Sequence, residues 1–226
     1  MTISDSPAAP AEVTGRTRRP RARKGEGRRL RDEILDATEK LLLQVGSSEA
    51  VSIRLVADTV GVTAPSIYRH FPDKDTLIYE VCNRHFIDLD AEIDAAVAGL
   101  DDPVDDLAAR GRAYLDFGIA NPEPYRVMFM TRPEIAPVER QQMWMQDSPT
   151  FLGLIESVQR CIDAGRMRAG FDDPFQISIG MWARVHGLTS LLVSKPFLFP
   201  SDETARAAFL DEYMDTCLHG IVADPG

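Results

Sequence analysis

The sequence predicts an all-α protein, in which a small N-terminal helix-turn-helix domain precedes a larger helical domain. Apolar residues recur at i, i+3, i+4 and i+7 in most segments, which is the pattern of amphipathic helices. Residues 52–74 have the features of two short helices joined by a tight turn. A helix-start signal, aspartate followed by proline, stands at Asp102-Pro103. With 44% hydrophobic residues, the 226-residue chain can bury a large core.

Residues 1–27 are rich in proline, alanine, glycine and arginine without apolar periodicity, which predicts a disordered basic arm. The run RTRRPRARKGEGRR could follow DNA phosphates or place an arginine in the minor groove. It could equally be a solubilising tail with only non-specific, salt-sensitive attraction to DNA. A first helix from Leu30 to Val45 follows, and Gly46 ends it. We expect this helix to pack across the helix-turn-helix, within a domain spanning residues 28–73.

The helix-turn-helix is specified by local signals. Ser52 can cap its first helix by accepting a backbone N–H bond, and Gly61 stands where a helix end turns left-handed. Thr63 is a second N-cap candidate, and Pro65 suits the first turn of the second helix. The outward face of that second helix is small, polar, aromatic or basic, as close approach to a major groove requires. It comprises Thr63, Ala64, Pro65, Ser66, Tyr68, Arg69 and His70. The alternative is a plain surface hairpin without DNA binding.

Residues 74–226 are predicted to form a helical regulatory and dimerisation domain. A long helix from Asp73 to about Ala98 connects it to the helix-turn-helix, and we expect His85 on its apolar line to be a hydrogen-bonded core residue. Further on, methionine and aromatic side chains are concentrated, and such surfaces adapt to varied apolar ligands. The candidate ligand-binding residues are Tyr114, Phe117, Met128, Phe129, Trp144, Phe151, Trp182 and His186. Each of them could instead be ordinary core.

The last two helices are predicted at 174–193 and 203–221. The first is apolar around most of its circumference, which indicates burial both in its own domain and against another subunit. The second carries Phe209, Tyr213, Thr216 and Cys217 on one side. Two helices from each of two chains would form a four-helix contact, so we expect a homodimer through these helices.

The stretch GVTAPSIYRHFPDKDTL resembles the DNA-binding signature of TetR-type transcriptional repressors, in which a glycine–valine turn leads into a Tyr–x–His–Phe helix and a lysine. The resemblance runs from about Leu30 to Leu77. It implies that the outward face named above contacts double-stranded DNA and that Arg54 and Lys74 hold phosphates. In this family the last two helices form the dimer contact, as the pattern here also suggests. Trp182, His186 and Gly187 resemble the Trp–His–Gly motif of one subgroup of C-terminal domains.

The net charge of −10 is unevenly distributed along the chain. Residues 1–80 contain 13 Lys and Arg against 12 Asp and Glu, whereas residues 81–226 contain 12 against 23. Positive charge is therefore gathered at one end, as a DNA footprint requires. The three cysteines are far apart without a CxxC pair, so neither disulfides nor a metal site is indicated. The sequence lacks a signal peptide and an uninterrupted apolar span, which predicts a cytoplasmic protein without membrane contact.

Three functions were weighed on this basis. The first is a homodimeric repressor released from a palindromic operator by an apolar small molecule of unknown identity. The second is an enzyme, which the sequence disfavours because it has no nucleophile–base spacing, phosphate loop or cofactor motif. The third is a DNA-binding protein controlled by a protein partner, or one that acts without a small ligand.

Overall fold

The computed structural model describes residues 26–129 and 148–223, and these residues form nine α-helices. The basic arm up to residue 25 and the candidate ligand residue Trp144 lie outside the described ranges. No helix in those ranges is long and apolar enough to cross a membrane. The helices are α1 Glu26–Val45, α2 Ile53–Val60, α3 Ala64–Tyr68, α4 Lys74–Val97, α5 Pro103–Ala120, α6 Pro122–Phe129, α7 Pro149–Asp163, α8 Pro174–Ser194 and α9 Glu203–His219, with a 3₁₀ turn at Pro196–Leu198.

Helix ends follow the local signals of the sequence. The Ser52 hydroxyl accepts the Leu55 N–H at 3.1 Å, and Asp102 accepts the Val104 N–H at 2.7 Å, so both predicted caps are confirmed. Gly46 and Gly61 follow the last residues of α1 and α2 with φ of 68° and 76°, the left-handed conformation that glycine adopts without strain. Two bounds differ from the prediction: α1 begins at Glu26 rather than Leu30, and α9 ends at His219 rather than Ile221.

The core of the DNA-binding unit extends beyond its three helices. Ile34, Val56, Ile67 and other apolar residues of α1–α3 form one buried cluster. The same cluster includes four residues from the first turns of α4 and one residue of α6. These are Leu77, Ile78, Val81, Cys82 and Val127. A three-helix unit this small buries little apolar surface by itself, so the packing ties its stability to the larger domain.

The apolar side of α9 faces its own chain, which corrects the expectation that it faces a second subunit. Phe209 stacks near Phe199 with ring centroids 5.7 Å apart, and the Tyr213 hydroxyl donates to the Arg184 carbonyl at 3.1 Å. Cys217 is buried. The sequence pattern identified the apolar side correctly, but it could not say which surface that side covers.

Gly118 marks the closest approach of α5 to α8. A Cβ added at this position would lie 2.2 Å from Cγ2 of Thr189 and 3.1 Å from a ring carbon of Tyr125. Thr189 is fully buried, and a β-branched side chain in a helix has few alternative rotamers. We therefore expect Gly118→Ala to lower the free energy of unfolding by about 1–3 kcal/mol, because overpacking forces the helices apart. Thermal denaturation followed by circular dichroism measures this loss.

Two further variants isolate the cause. Thr189→Ser removes the clashing methyl group, so the double variant Gly118→Ala/Thr189→Ser should regain much of the lost stability. Gly111→Ala on the same helix would meet only the flexible end of Met214, at 2.7 Å, and should cost less than Gly118→Ala. Equal losses from both glycine substitutions would contradict a specific clash with Thr189.

Candidate functional site

The turn between α2 and α3 is closed by backbone bonds. Gly61 takes the left-handed conformation, and the Val62 N–H donates to the Ala57 carbonyl at 2.9 Å. Thr63 occupies the N-cap position of α3, as predicted. Among the described residues, however, its hydroxyl pairs with the Ser66 hydroxyl at 3.0 Å instead of capping a backbone N–H. The turn therefore fixes α3 against α2 mainly through the main chain.

The α3 helix presents one buried face and one solvent face. Ile67 and Phe71 are fully buried and anchor the helix against α1 and α2. All seven side chains predicted to face DNA are exposed or partly exposed, and Tyr68 has 53% of its surface in solvent. A buried anchor on one side and an accessible polar side on the other give the geometry of a helix presented to a groove.

Arg69 and His70 differ in charge state and in freedom of movement. The Arg69 guanidinium donates to the Ser66 hydroxyl at 3.0 Å, so it lies along the outer surface of α3. The pKa of His70 is lowered by burial and by the positive charges of Arg69 and Arg31. The imidazole is therefore neutral at neutral pH and offers both a donor and an acceptor. Among the seven side chains, only Arg69 combines positive charge with bidentate reach.

The two residues predicted to hold phosphates have different surroundings. Arg54 is exposed on α2. Lys74, in the first turn of α4, donates through Nζ to the Ser48 carbonyl at 3.0 Å, a bond across 26 residues of sequence. An ammonium carries three hydrogens, so this bond leaves two donors for a phosphate. The phosphate role of both residues stays a prediction.

Three ionic contacts connect α1 to α4. Arg31 pairs with Glu80 and Arg84 with Asp36, each at 2.8 Å. His85 Nε2 lies 3.2 Å from a Glu39 carboxylate oxygen, yet no partner within the described ranges gives it a well-formed hydrogen bond. The expectation of a hydrogen-bonded core histidine was therefore wrong in this respect. Exposed pairs contribute little stability individually, but together they couple the position of α1 to that of α4.

An apolar cavity of about 70 Å³ lies in the larger domain. Its wall is built from α4, α5 and α8, from the end of α6 and from the first turns of α7. Most of the lining is aliphatic or aromatic. The lining residues are Phe86, Leu89, Ile93, Leu107, Arg110, Gly111, Tyr114, Phe129, Ser148, Thr150, Phe151, Leu154, Met181, Trp182 and Val185.

Four of the candidate ligand residues meet at this cavity, namely Tyr114, Phe129, Phe151 and Trp182. The indole of Trp182 and the ring of Phe151 form an edge-to-face pair with centroids 6.3 Å apart. Phe117 and Met128 are packed in the surrounding core instead. The structure thus brings together one part of the predicted set and places another part behind the wall.

His186 stands behind the cavity wall in a polar cluster. The hydroxyls of Tyr114 and Tyr125 both lie 2.8 Å from its Nδ1, and the Trp182 indole N–H donates to the Tyr114 hydroxyl at 3.4 Å. Burial lowers the pKa of His186 and raises the pKa of both tyrosines, so all three groups are neutral at neutral pH. This cluster joins α5, α6 and α8 and holds two aromatic lining residues in place.

Sequence reasoning missed the contributions of α4 and α5 to the cavity. Phe86, Leu89 and Ile93 keep helical spacing on α4, and Leu107 and Arg110 precede Tyr114 on one side of α5. A helical stripe was the available signal, but buried core residues give the same stripe. Arg110 was the distinguishing residue, because an arginine interrupts an otherwise apolar line.

The outer face of α8 carries small residues and one leucine. Gly180, Ala183 and Leu191 are exposed, with 46% of the Leu191 surface in solvent, and Gly187 is half-buried. A Cβ added at Gly187 would have no atom of the described residues within 4 Å. Beyond the helix end, Phe197 and Leu198 are 77% and 58% exposed. This face therefore offers an apolar surface that a second helix could approach closely.

The sequence matches two descriptions of known protein families. Residues 34–81 match "Bacterial regulatory proteins, tetR family". Residues 107–222 match "Tetracyclin repressor-like, C-terminal domain". The second description names no subgroup, so the Trp–His–Gly likeness stays a resemblance.

Individual relatives match over part of the chain. The transcriptional repressor KstR of Mycobacterium tuberculosis is 42% identical over 73 residues, which are 32% of this chain and 33% of KstR. The transcriptional activator FasR of Mycolicibacterium smegmatis is 29% identical over 128 residues, 53% of this chain and 58% of FasR. The chain thus spans about a third of KstR and little more than half of FasR.

The fold agrees with solved structures over most of the chain. SmeT, the repressor of a multidrug efflux pump of Stenotrophomonas maltophilia, has been solved in complex with triclosan. That complex aligns with a TM-score of 0.62 at 20% identity, over 87% of this chain and 93% of SmeT. At this identity the likeness shows the fold alone.

Proposed function

The chain belongs to the TetR family and is a DNA-binding transcriptional regulator rather than an enzyme, and from this premise we propose that it acts as a homodimeric repressor released from a palindromic operator by an apolar small molecule. One observation carries the proposal. The helix α4 contributes Leu77 and Val81 to the core of the DNA-binding unit and Leu89 and Ile93 to the cavity wall. A ligand that displaces the wall therefore acts on the helix that holds the DNA-binding unit.

On DNA, α3 would enter the major groove, with half-sites about one helical turn or a multiple apart. Its outward side chains would face the bases, and Arg54 and Lys74 would hold phosphates. The helix has neither Asn nor Gln, so direct base reading rests on few contacts. Arg69 can reach guanine, and Ala64 and Pro65 can contact thymine methyl groups.

The proposed dimer is formed by α8 and α9 of each chain. Support comes from the outer face of α8, where Gly180, Ala183 and Gly187 would allow close helix approach and Leu191 would be buried. The apolar 3₁₀ turn after α8 extends the same surface. Two helices from each subunit would then form a four-helix interface.

Release requires that the ligand bind one of two dimer geometries more tightly. In the proposed sequence, occupation of the cavity moves α4 and α1 moves with it. The distance between the two α3 helices then no longer fits both half-sites. Because KstR is named a repressor and FasR an activator, the direction of regulation is the part of the proposal that most needs measurement. A bacterial regulator of this kind would work in the cytoplasm.

The test is binding of the purified protein to DNA from upstream of its own gene, with a random duplex in parallel at two salt concentrations. We expect dimer-stoichiometric binding to the upstream DNA alone, still selective at the higher salt. Equal and steeply salt-sensitive binding to both duplexes would contradict a site-specific regulator of that region. A chain that begins at Arg28 then shows whether the basic arm alone produces the binding.

The same assay addresses the ligand. Apolar compounds that raise the melting temperature should also lower affinity for the upstream DNA. If no apolar compound does either, control by a protein partner or action without a small ligand becomes the better explanation. If a compound stabilises the protein without releasing DNA, the cavity binds ligands but does not control the operator.

A further inference from the structure

Arg110 is a charged side chain in the otherwise apolar wall of the cavity. It projects from α5, and its side chain is only 16% exposed. The neighbouring lining residues on α5, Leu107 and Tyr114, are apolar or aromatic. Burial of a charge is costly unless the charge is paired, so its position requires an explanation.

One explanation is structural, because Arg110 belongs to a buried ionic cluster between α5 and α7. Its Nε donates to Oδ1 of Asp106 at 2.9 Å, and Arg160 donates to the same oxygen at 2.8 Å. The hydroxyl of Ser157 donates to it as well. Burial opposes ionisation of Asp106, but the hydrogen bonds from Ser157, Arg110 and Arg160 outweigh it and lower the pKa of this carboxyl.

The cluster nevertheless has more positive than negative charge. Two guanidinium groups share a single carboxylate, which leaves one positive charge uncompensated among these side chains. Within the described residues, Arg110 is bonded through Nε alone, so its two terminal nitrogens keep their hydrogens for another acceptor. A singly charged anion beside them would complete the charge balance.

Gly153 on α7 shapes the space around these terminal nitrogens. A Cβ added there would lie 2.8 Å from Nη1 and 3.7 Å from Nη2 of Arg110. The absence of a side chain at this position therefore makes room for the guanidinium. The N-terminal end of α7 lies nearby, and Ser148 and Thr150 from that end also line the cavity. The partial positive charge of a helix N-terminus adds to the preference for an anion.

We infer that the cavity takes a hydrophobic carboxylic acid, with its carboxylate bound by the terminal nitrogens of Arg110 and its apolar body against the aromatic and aliphatic wall. This inference rests on the proposed function, since it names the chemical class of the ligand at the same site. Guanidinium and carboxylate form paired, parallel hydrogen bonds. Pockets for small molecules measure roughly 300–1,000 Å³, so the 70 Å³ cavity must widen as the ligand enters. Met181 and Leu154 in the wall can move to allow this.

The test compares carboxylic acids with alcohols of equal chain length, such as decanoic acid and decanol, below their micellar concentrations. Calorimetric titration of the full chain should show the acid binding about tenfold to a hundredfold more tightly than the alcohol. In Arg110→Met this preference should disappear, because the acid loses affinity and the alcohol does not. Arg110→Lys keeps the charge and should keep part of the preference.

Two variants separate ligand binding from structure. Arg160→Met removes the other guanidinium from the same Asp106 oxygen, but Arg160 is 46% exposed and does not line the cavity, so the acid preference should remain. Gly153→Ala leaves every charge in place and displaces the guanidinium, so the preference should fall without loss of stability. This second variant also serves if Arg110→Met fails to fold.

Several results would overturn the inference. They are equal binding of acid and alcohol by the unmodified protein, no binding of any acid across a series of chain lengths, and equal loss of preference in Arg160→Met and Arg110→Met. Operator affinity without ligand is measured in the same samples. An acid that binds through Arg110 yet leaves operator affinity unchanged would refute the proposed release mechanism while supporting the inferred ligand class.

Discussion

Replacing Tyr68 with alanine should lower operator affinity by about a hundredfold while leaving a folded dimer. Tyr68 is 53% exposed on α3, on the side of the helix opposite the fully buried Ile67. Its loss therefore removes a contact with DNA and almost no packing within the chain. A recognition side chain contributes about 1–3 kcal/mol, and a dimer on a palindrome loses two copies of it. Mobility-shift titration at fixed salt, with circular dichroism and light scattering, measures both parts of the prediction.

Tyr79→Ala is the matched control for this experiment. Tyr79 is a tyrosine of similar exposure, 46%, but it lies on α4 beyond the recognition helix. Its substitution should leave operator affinity close to that of the unmodified protein. Retained operator affinity in Tyr68→Ala would remove the main support for α3 as the recognition helix. A loss in both variants would instead indicate that α4 contributes to the DNA surface.

The parts of this structure that sequence analysis predicted are those that neighbouring residues determine. The cap by Ser52, the left-handed Gly61 and the aspartate–proline start of α5 each depend on atoms a few residues apart. A hydroxyl or carboxylate before a helix satisfies the same free N–H groups in any fold. Helix boundaries were therefore accurate to within a few residues.

The cavity could not be predicted in the same way, because it depends on contacts between distant segments. Tyr114 and Phe117 are three residues apart on α5 and look alike in sequence. The close crossing at Gly118 brings α8 near this end of α5, Phe117 is buried in the core there, and Tyr114 is left at the cavity. Helical spacing identifies an inward face, but it does not show where that face meets a gap.

Long-range polar contacts were equally invisible in the sequence. Lys74 bonds to a carbonyl 26 residues earlier, and Asp106 meets Ser157 across 51 residues. No local pattern distinguishes these charged residues from others on solvated helix faces. The consequence for function is direct, since the Asp106 cluster determines how Arg110 enters the cavity wall.

The second large effect is expected at the proposed dimer interface, where Leu191→Glu should give a folded monomer. Leu191 is 46% exposed on the outer face of α8, so a glutamate is well tolerated in a single chain. In a dimer across this face, the carboxylate would be buried against a partner without a counter-charge, at a cost that a modest interface cannot offset. Analytical ultracentrifugation should show the change in mass, and thermal denaturation should show that the chain still folds.

The effect on DNA follows from the dimer. A monomer engages one half-site, so operator affinity should approach that of non-specific binding, a fall of about a thousandfold or more. Ile87→Glu makes the same kind of change at a 58% exposed position on α4, away from the proposed interface, and should leave both mass and operator affinity unchanged. If Leu191→Glu remains a dimer with full operator affinity, the subunits meet elsewhere. In that case the small residues along α8 need another explanation, because close helix approach would no longer account for Gly180 and Gly187.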